Sequence, residues 1–227
     1  MKITLLCSNK QHPVYPYLAQ WKANNEHHYD IDLISHTSEI KSYNTKAQSD
    51  ILFLISCTEL ITENIRALFR HTLVLHASDL PEGRGWSPHI WDILNGKNEL
   101  TLALLNAEDK VDTGDIWQKQ KITLDGTELF DEINTLLFKA ELELISWACN
   151  NIDTVKPVKQ PEHAEMDSGV SYHQRRTPED SELTISETIE NQFNLLRVCD
   201  PDRFPAFFYY KGQKYNIRIE KEGGEQE

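Results

Sequence analysis

Apolar runs divide the first two thirds of the chain into short predicted strands. Their bounds are Lys2–Cys7, Tyr29–Ile34, Ile51–Ser56, Thr72–His76, Leu100–Leu105 and Ile116–Ile122. The continuous apolar run of Ile51–Ser56 is typical of a strand covered on both faces. Tyr29–Ile34 alternates apolar and polar residues, which also predicts a strand.

Helical spacing of apolar residues predicts what lies between these strands. We expect helices over Tyr15–Asn24, from Thr58 to about Phe69, over Pro88–Leu94 and over Thr127–Asn150. Thr58, Ser87 and Thr127 are the expected N-caps. Alternating strands and helices over residues 1–150 predict an α/β, Rossmann-like fold with a mostly parallel sheet. Neither a G-x-G-x-x-G after the first strand nor a P-loop is present, so the fold is expected without a dinucleotide.

The remainder of the chain predicts a second, smaller unit. Residues 151–165 contain Pro157 and Pro161 with few apolar groups and are the best candidate for a linker. We therefore expect one unit over 1–155 and another over 156–227. The second is predicted to hold a loop over Tyr172–Asp180, a helix from about Ser186 to Arg197, hairpin strands at Ala206–Tyr210 and Lys214–Ile219, and a frayed tail over Lys221–Glu227.

The net charge and the cysteine spacing limit the kinds of partner and metal site that we expect. The 227 residues carry 36 acidic and 23 basic side chains, a net charge of −13 that argues against a nucleic-acid partner. The four cysteines are far apart and form no C-x-x-C, so neither a zinc ribbon nor a redox pair is expected. His, Cys and acidic residues show no metal-ligand spacing, so no metal is expected. Free thiols suit the cytoplasm, and no apolar run is long enough to span a membrane.

Two segments carry the candidate chemistry. His76-Ala-Ser-Asp-Leu-Pro-Glu-Gly-Arg-Gly85 follows one apolar strand, and Val111-Asp112-Thr-Gly-Asp-Ile116 follows another. Ligands of open α/β sheets bind where strand carboxyl ends meet loops, so we expect His76 and Asp112 to lie together. Histidine accepts a proton near neutral pH, and a carboxylate partner orients the ring or relays the proton.

Each of these residues also has a structural interpretation. His76 alone would more often be a structural histidine, and Asp112 alone could form an Asx turn. The two loops together favour catalysis, with Asp115 as the turn residue. Arg84 and Gly85 either shape the turn or contact substrate. Arg175 and Arg176 are either a solvated pair or, beside Tyr172, a site for a substrate phosphate or carboxylate.

The paired loops resemble those of the formyltransferases that use 10-formyltetrahydrofolate. His76 and Asp112 are 36 positions apart, as is typical of that family. The later segments Arg-Arg-Thr-Pro-Glu-Asp and Pro-Ala-Phe-Phe-Tyr-Tyr are similar to those of sugar N-formyltransferases. The resemblance covers roughly residues 50–220. It implies a Rossmann-like formyltransferase core over 1–155, followed by a small C-terminal helix and β-hairpin unit.

The resemblance also implies roles for named residues. His76 would accept a proton from the attacking amine, and Asp112 would hold that ring or a water and relay protons. Contacts to 10-formyltetrahydrofolate, with the pterin read largely through backbone groups, would come from Leu80, Pro81, Asp109, Lys110, Val111 and Asp115. Contacts to the acceptor substrate would come from Ser78, Arg84, Gly85, Tyr172, Arg175 and Arg176.

One position departs from the family pattern. The family has an asparagine two residues before the histidine, which donates a hydrogen bond to the oxyanion, and here that residue is Val74. Loss of one oxyanion donor costs about 3–4 kcal/mol in other enzymes. We therefore expect a substitute donor, either protonated His76, a backbone N–H of the loop, Ser78 or Asn106.

The acceptor follows less directly. The acidic charge and the short C-terminal unit disfavour initiator tRNA, so we expect an amino sugar, nucleotide-linked or sialic-acid-like, used for a bacterial surface glycan such as a lipopolysaccharide O-antigen. A formyltetrahydrofolate hydrolase and a non-catalytic folate- or sugar-binding relative remain as alternatives. A homodimer through the C-terminal unit or the hairpin edge is compatible with the sequence.

Overall fold

A computed structural model describes residues 1–40, 49–161 and 172–222. The last part of the predicted linker, residues 162–165, and most of the predicted tail, residues 223–227, lie outside the described residues. Within those ranges the strands are β1 Lys2–Leu6, β2 Asp30–Ile34, β3 Ser49–Leu54, β4 Phe69–His76, β5 Arg84–Gly85, β6 Glu99–Asn106, β7 Ile116–Thr123, β8 Tyr172–His173, β9 Ala206–Tyr210 and β10 Gln213–Ile217.

The helices of the described residues are α1 Tyr15–Asn25, α2 Glu63–Arg66, α3 Pro88–Leu94, α4 Phe130–Asn151 and α5 Ile189–Val198. Single 3₁₀ turns lie at Thr37–Glu39 and Pro178–Ser181. No helix in the described ranges is both long and apolar enough to cross a membrane.

The main sheet has the strand order β2-β1-β3-β4-β6-β7. Strands β1 to β4 are mutually parallel, whereas β6 runs antiparallel to both of its neighbours. The predicted α/β class with a mostly parallel sheet is confirmed. We expected the strands before His76 and Asp112 to end at the same edge of the sheet. Because β6 is antiparallel, its carboxyl end, Asn106, pairs with Leu73 rather than lying beside His76.

Strand β4 separates two different environments. Leu73 and Leu75 face the large apolar core, which also contains the buried faces of α1 and α4. Val74 and His76 alternate with them and therefore face the opposite side, where Val74 contacts a small apolar cluster. Loop residues rather than long helices cover that second side near His76, as the contacts described below show.

The core beneath α4 contains one buried carboxyl group. Glu141 is 6 % exposed, and its Oε2 has no hydrogen-bond partner within the described part of the chain. Burial raises the pKa of Glu141 to about 8. The group is therefore mostly protonated at neutral pH, which is how an unpaired carboxyl tolerates an apolar environment.

The helix predicted from Thr58 to about Phe69 is wrong in length. Only Glu63–Arg66 is helical, and Phe69 is already the first residue of β4. Leu60 and Leu68, two apolar residues of this segment, are 77 % and 45 % exposed. Phe69 is instead buried in a cluster with Leu6 and Leu54, so strand packing determines the end of this segment.

The N-cap of the long helix lies two residues later than predicted. The hydroxyl of Thr127 donates to Asp125 rather than capping the helix, and Leu129 occupies the N-cap position. The carboxylate of Glu132 accepts a hydrogen bond from the backbone N–H of Leu129 and so satisfies one of the first free donors.

The C-terminal part contacts the main sheet region at several points. β8 pairs in parallel with β5, and Val198 of α5 is buried in the large core cluster. The predicted hairpin is present as β9 and β10 and packs on its own small cluster with Leu183 and Leu196. The division at residues 155 and 156 stays a prediction, although these contacts cross it.

Candidate active site

His76 is the last residue of β4, and both of its ring nitrogens face acceptors. Nε2 lies 2.9 Å from the carbonyl oxygen of Gly83, and Nδ1 lies 3.4 Å from Oδ1 of Asp112. The residue is 7 % exposed. The seven-residue return of the chain to Gly83 thus closes a turn around the imidazole.

Asp112 comes from the loop between β6 and β7. Its Oδ2 accepts a hydrogen bond of 3.0 Å from the backbone N–H of Gly85, and the residue is 9 % exposed. The prediction that the two loops bring His76 and Asp112 together agrees with this geometry. Because β6 is antiparallel, Asp112 reaches His76 from a loop that starts beside Leu73.

The contacts of His76 set the state in which it can act. A carbonyl oxygen only accepts, so the contact with Gly83 assigns the hydrogen of the neutral ring to Nε2. Nδ1 then carries the lone pair and faces the Asp112 carboxylate. If Nδ1 gains a proton, both ring N–H groups have acceptors, so the site suits a general base.

Two glycines permit the close approach of these segments. A Cβ atom on Gly85, whose φ is +96°, would lie 2.4 Å from the carbonyl oxygen of His173 in the paired strand β8. A Cβ atom on Gly114 would lie 2.0 Å from the carbonyl oxygen of Asn106. Neither position accepts a side chain without movement of the backbone.

Gln160 is a residue of this region that the sequence reasoning missed. It is 7 % exposed, and its Nε2 donates to the carbonyl oxygens of Asp112 and Gly114 at 3.0 and 2.8 Å. Its Oε1 accepts a 3.0 Å hydrogen bond from Arg84, which is 6 % exposed. The proline-rich composition around Gln160 predicted a linker, and no local pattern indicated that its side chain would be buried.

Aromatic side chains line the neighbouring surface. The guanidinium of Arg175 lies 5.0 Å from the ring centre of Trp86, and Trp91 stacks on His173 at 5.5 Å. Trp86 is 38 % exposed. This cluster follows directly from the β5–β8 pairing, which no sequence signal predicted.

The predicted substrate residues divide between surface and interior. Tyr172 is 59 % exposed and Arg175 is exposed. Arg176 points elsewhere, because its guanidinium donates to the carbonyl oxygen of Asp180 at 2.7 Å. Ser78 is 1 % exposed, and with Arg84 it lies inside the protein. Roles of these residues in acceptor binding stay predictions.

A second histidine lies close to the first. His89, at the start of α3, has its pKa lowered to about 4 by burial and, to a lesser extent, by the charges of His76 and His12. It is therefore neutral at physiological pH. Within the described ranges, no group of three or more His, Cys, Asp or Glu side chains could hold a metal ion.

The sequence that carries this site matches a known protein family. The sequence profile described as "Formyl transferase" matches residues 5–148, which includes His76 and Asp112. The chain belongs to the formyl transferase family.

Among curated relatives of this family member is the methionyl-tRNA formyltransferase of Rickettsia africae, 26 % identical over 184 residues. The match covers 81 % of this chain and 57 % of the relative, so the chain spans a little over half of that protein's length.

Solved structures show the same fold. Methionyl-tRNA formyltransferase from Clostridium thermocellum superposes with a TM-score of 0.80 at 22 % identity, covering 100 % of this chain and 95 % of that one. A 4-N formyltransferase from Francisella tularensis gives 0.72 at 18 % identity and covers 98 % of both chains. HypX from Aquifex aeolicus, in complex with tetrahydrofolic acid, gives 0.70 at 18 % identity and covers 94 % of this chain and 36 % of that one.

The position that departs from the formyl transferase pattern is apolar in three dimensions as well. Val74 packs with Leu80, Ala103 and Leu105 on the same side of the sheet as His76. Asn106, one expected substitute donor, accepts a 2.7 Å hydrogen bond from Trp117, whose ring belongs to the core on the opposite side. Asn106 is therefore poorly placed to replace the family asparagine.

Ser78 is better placed than Asn106 to act as the substitute donor. Its hydroxyl is buried and has no hydrogen-bond partner among the described residues, and its Cβ lies 2.9 Å from the position of a Cβ on Gly83. Gly83 is the residue whose carbonyl contacts His76. Protonated His76, Ser78 and the backbone N–H groups of this loop stay as the predicted substitute donors.

The residues predicted to bind the folate belong to two loops, one after β4 and one between β6 and β7. Leu80 is 1 % exposed, and its carbonyl accepts a hydrogen bond from Lys119. The carboxylate of Asp109 is paired with Arg66 at 2.6 Å. Val111 is 58 % exposed, next to Asp112 in the same loop.

The other three predicted folate contacts act through their backbone or lie at the rim. The carbonyl of Lys110 accepts from the Thr113 hydroxyl, and the carbonyl of Asp115 accepts from the N–H of Asn106. Pro81 is half-buried. Their contacts with a folate stay predictions.

Proposed function

We propose that this formyl transferase family member moves a formyl group from 10-formyltetrahydrofolate to the primary amine of an amino sugar. The observation that supports this best is the buried His76–Asp112 pair, in which Nδ1 and Oδ1 are 3.4 Å apart. It supplies a proton acceptor with a neighbouring negative charge. A nucleophilic Ser or Cys is not needed, since the amine attacks directly.

The roles of the chain's own groups follow from their contacts. His76 accepts the proton that the amine must lose during attack, and holds it on Nδ1 beside the Asp112 carboxylate. Gly83 keeps the ring oriented through its carbonyl oxygen, and Gly85 fixes the carboxylate through its N–H. The folate supplies the formyl group and, as the C–N bond to it breaks, a nitrogen that takes up the proton.

The surface beside this pair fits a folate. Exposed Val111 offers an apolar contact to a planar ring, and the surrounding loop offers backbone groups. The solved neighbour with bound tetrahydrofolic acid supports a folate-type co-substrate for this fold. No metal is part of the proposed reaction.

The acceptor is proposed to be a small molecule. The net charge of −13 opposes binding to tRNA, and the exposed Arg175 on Trp86 suits an anionic or planar group of a nucleotide-linked or sialic-acid-like sugar. The 4-N formyltransferase neighbour covers nearly the same length as this chain. A product of this kind would serve bacterial surface glycans, including lipopolysaccharide O-antigens. The free cysteines support a cytoplasmic location.

Methionyl-tRNA is the second candidate acceptor, because the curated relative at 26 % identity carries that activity in its name. The alternatives also include hydrolysis, in which water replaces the amine, and binding without turnover, which would account for Val74. Each gives a different product pattern.

The decisive assay measures tetrahydrofolate formation from 10-formyltetrahydrofolate with a panel of amino sugars, nucleotide-linked amino sugars and methionyl-tRNA. Turnover that depends on an amino sugar and is lost in His76→Asn supports the proposal. Turnover without amine indicates a hydrolase, and turnover only with methionyl-tRNA replaces the proposed acceptor. Folate binding without turnover overturns the enzymatic assignment.

A further inference from the structure

Gln160 lies outside both catalytic loops, yet its side chain ends between them. We propose that Gln160 is a positioning residue that holds the Asp112 loop against His76. The kinetic part of this proposal rests on the proposed formyl transfer, whereas the geometric part does not. It assigns a function to a segment whose sequence predicts only a linker.

The side-chain amide of Gln160 uses both of its N–H donors and its oxygen on this one site. The NH₂ group donates to the carbonyls of Asp112 and Gly114, and the oxygen accepts from Arg84. Two carbonyl acceptors require the NH₂ end and a guanidinium requires the oxygen, so the contacts fix the amide orientation. A carboxylate of the same shape satisfies only Arg84.

The Asp112 loop needs such support because its backbone is strained. Asp112 has a φ of +57°, in the left-handed region that side chains rarely adopt. Such a conformation costs about 1–2 kcal/mol and persists where surrounding contacts determine it. Gly114, two residues after Asp112, lies against the backbone of Asn106. Gln160 therefore binds the loop both at the residue with positive φ and at the residue with the close backbone contact.

Gln160 is itself held in place by the chain on either side of the site. Val158 pairs with Ile116 through two backbone hydrogen bonds of 2.8 Å, which ties residues 158–160 to the start of β7. Arg84 precedes Gly85, whose N–H holds the Asp112 carboxylate. The contacts form a closed ring. Gln160 binds the backbone of Asp112 and the side chain of Arg84, and Gly85, the next residue of β5, binds the side chain of Asp112.

The variants Gln160→Met and Gln160→Glu break this ring in different ways. Methionine keeps the size but removes all three hydrogen bonds, and glutamate keeps the Arg84 contact but turns a carboxylate toward two carbonyl oxygens. We expect kcat to fall tenfold or more, since small displacements of a catalytic group cost on the order of 100-fold. Gln118→Met, at an exposed position of β7, and Val158→Ala, whose side chain is 71 % exposed, are the matched controls.

A measurement that does not need turnover separates positioning from general stability. The ¹⁵N imidazole chemical shifts of His76 report the tautomer of the ring and the groups around it, which are the Asp112 carboxylate, the Gly83 carbonyl and the nearby His89. We expect Gln160→Met to move these chemical shifts in the same direction as Asp112→Asn. Combining both changes should add little, since they act through one contact.

The outcomes are distinct. Unchanged ¹⁵N imidazole chemical shifts of His76 in folded Gln160→Met overturn the proposal, even if thermal stability falls. Failure of both Gln160 variants to fold, with folded controls, overturns it in favour of a purely structural role. Absence of formyl transfer in the unmodified protein refutes the proposed function only, because the His76 signals still decide the role of Gln160.

Discussion

Asp112 and Glu141 are two carboxyl groups buried to nearly the same degree, 9 % and 6 % exposed, on opposite sides of one sheet. One oxygen of Asp112 accepts a hydrogen bond from the N–H of Gly85, and the other lies 3.4 Å from Nδ1 of His76. Glu141 is on the buried face of α4 with one oxygen unpaired within the described residues, and burial raises its pKa to about 8. Burial alone therefore does not identify a functional carboxylate, and the partners around it do.

The largest expected effect comes from removing the charge of Asp112. Asp112→Asn keeps the size of the side chain but leaves protonated His76 without its anionic partner, so kcat/KM should fall by about 10²–10⁴. Steady-state kinetics with 10-formyltetrahydrofolate and the identified amine measure this. A fall of less than fivefold would contradict the assigned role, and Glu141→Met serves as the comparison with unchanged kcat/KM.

Glu141→Met should instead increase stability and remove a dependence on pH. The raised pKa of Glu141 means that the folded state holds a proton that the unfolded state releases above pH 4.5. Stability is then fully present below about pH 4.5 and is lost as pH rises through about 8, by up to about 1.4 kcal/mol per pH unit.

Urea unfolding at pH 5 and pH 8 tests this prediction. The unmodified protein should lose up to a few kcal/mol over that range relative to Glu141→Met. Parallel curves for the two proteins would show that Glu141 is not the group responsible. The catalytic side of the sheet should be insensitive to this change.

Gly114→Ala tests whether the Asp112 loop depends on its tight backbone contact. The added Cβ would meet the Asn106 carbonyl oxygen at 2.0 Å, so we expect a loss of about 2–3 kcal/mol of unfolding free energy and of most activity. Gly96→Ala is the control, because its Cβ has open space and only its φ of +81° is unfavourable, at about 1 kcal/mol. Equal losses in the two variants would exclude the steric explanation.

The smallest expected effect is at the aromatic surface. Arg175→Ala removes an exposed guanidinium from Trp86, a contact of about 0.5–1 kcal/mol, so KM for an anionic acceptor should rise a few-fold with kcat unchanged. Arg176→Ala is the matched control, because that guanidinium binds the Asp180 carbonyl instead. If Arg176→Ala raises KM more than Arg175→Ala, the assignment of the acceptor side is wrong.

The sequence predicted the strands well because their apolar runs are long and separated by clear turns. It also predicted that His76 and Asp112 converge, since His76 ends one strand and Asp112 lies in the loop after another. The direction of the strand before Asp112 was not predicted. β6 is antiparallel to β4, and apolar composition carries no information on strand direction. The helix from Thr58 failed because Phe69, its expected end, instead begins β4 and packs with Leu6 and Leu54.

The missed features share a cause. Gln160 is buried by contacts with Asp112 and Arg84, and β8 forms against a two-residue strand at Arg84–Gly85. All of these contacts join residues far apart in the chain. A single sequence shows local periodicity and spacing, so a polar residue that is buried only by distant backbone groups gives no local signal.

The pairing of β5 with β8 has a consequence for the order in which the site is made during translation. His76 and Asp112 leave the ribosome well before Gln160 and His173, which support them from the other side. A nascent chain released after residue 155 would already contain the complete main sheet, His76 and Asp112. It would nevertheless lack the amide and the strand that hold Asp112 and Gly85, so activity should emerge later in synthesis than the fold.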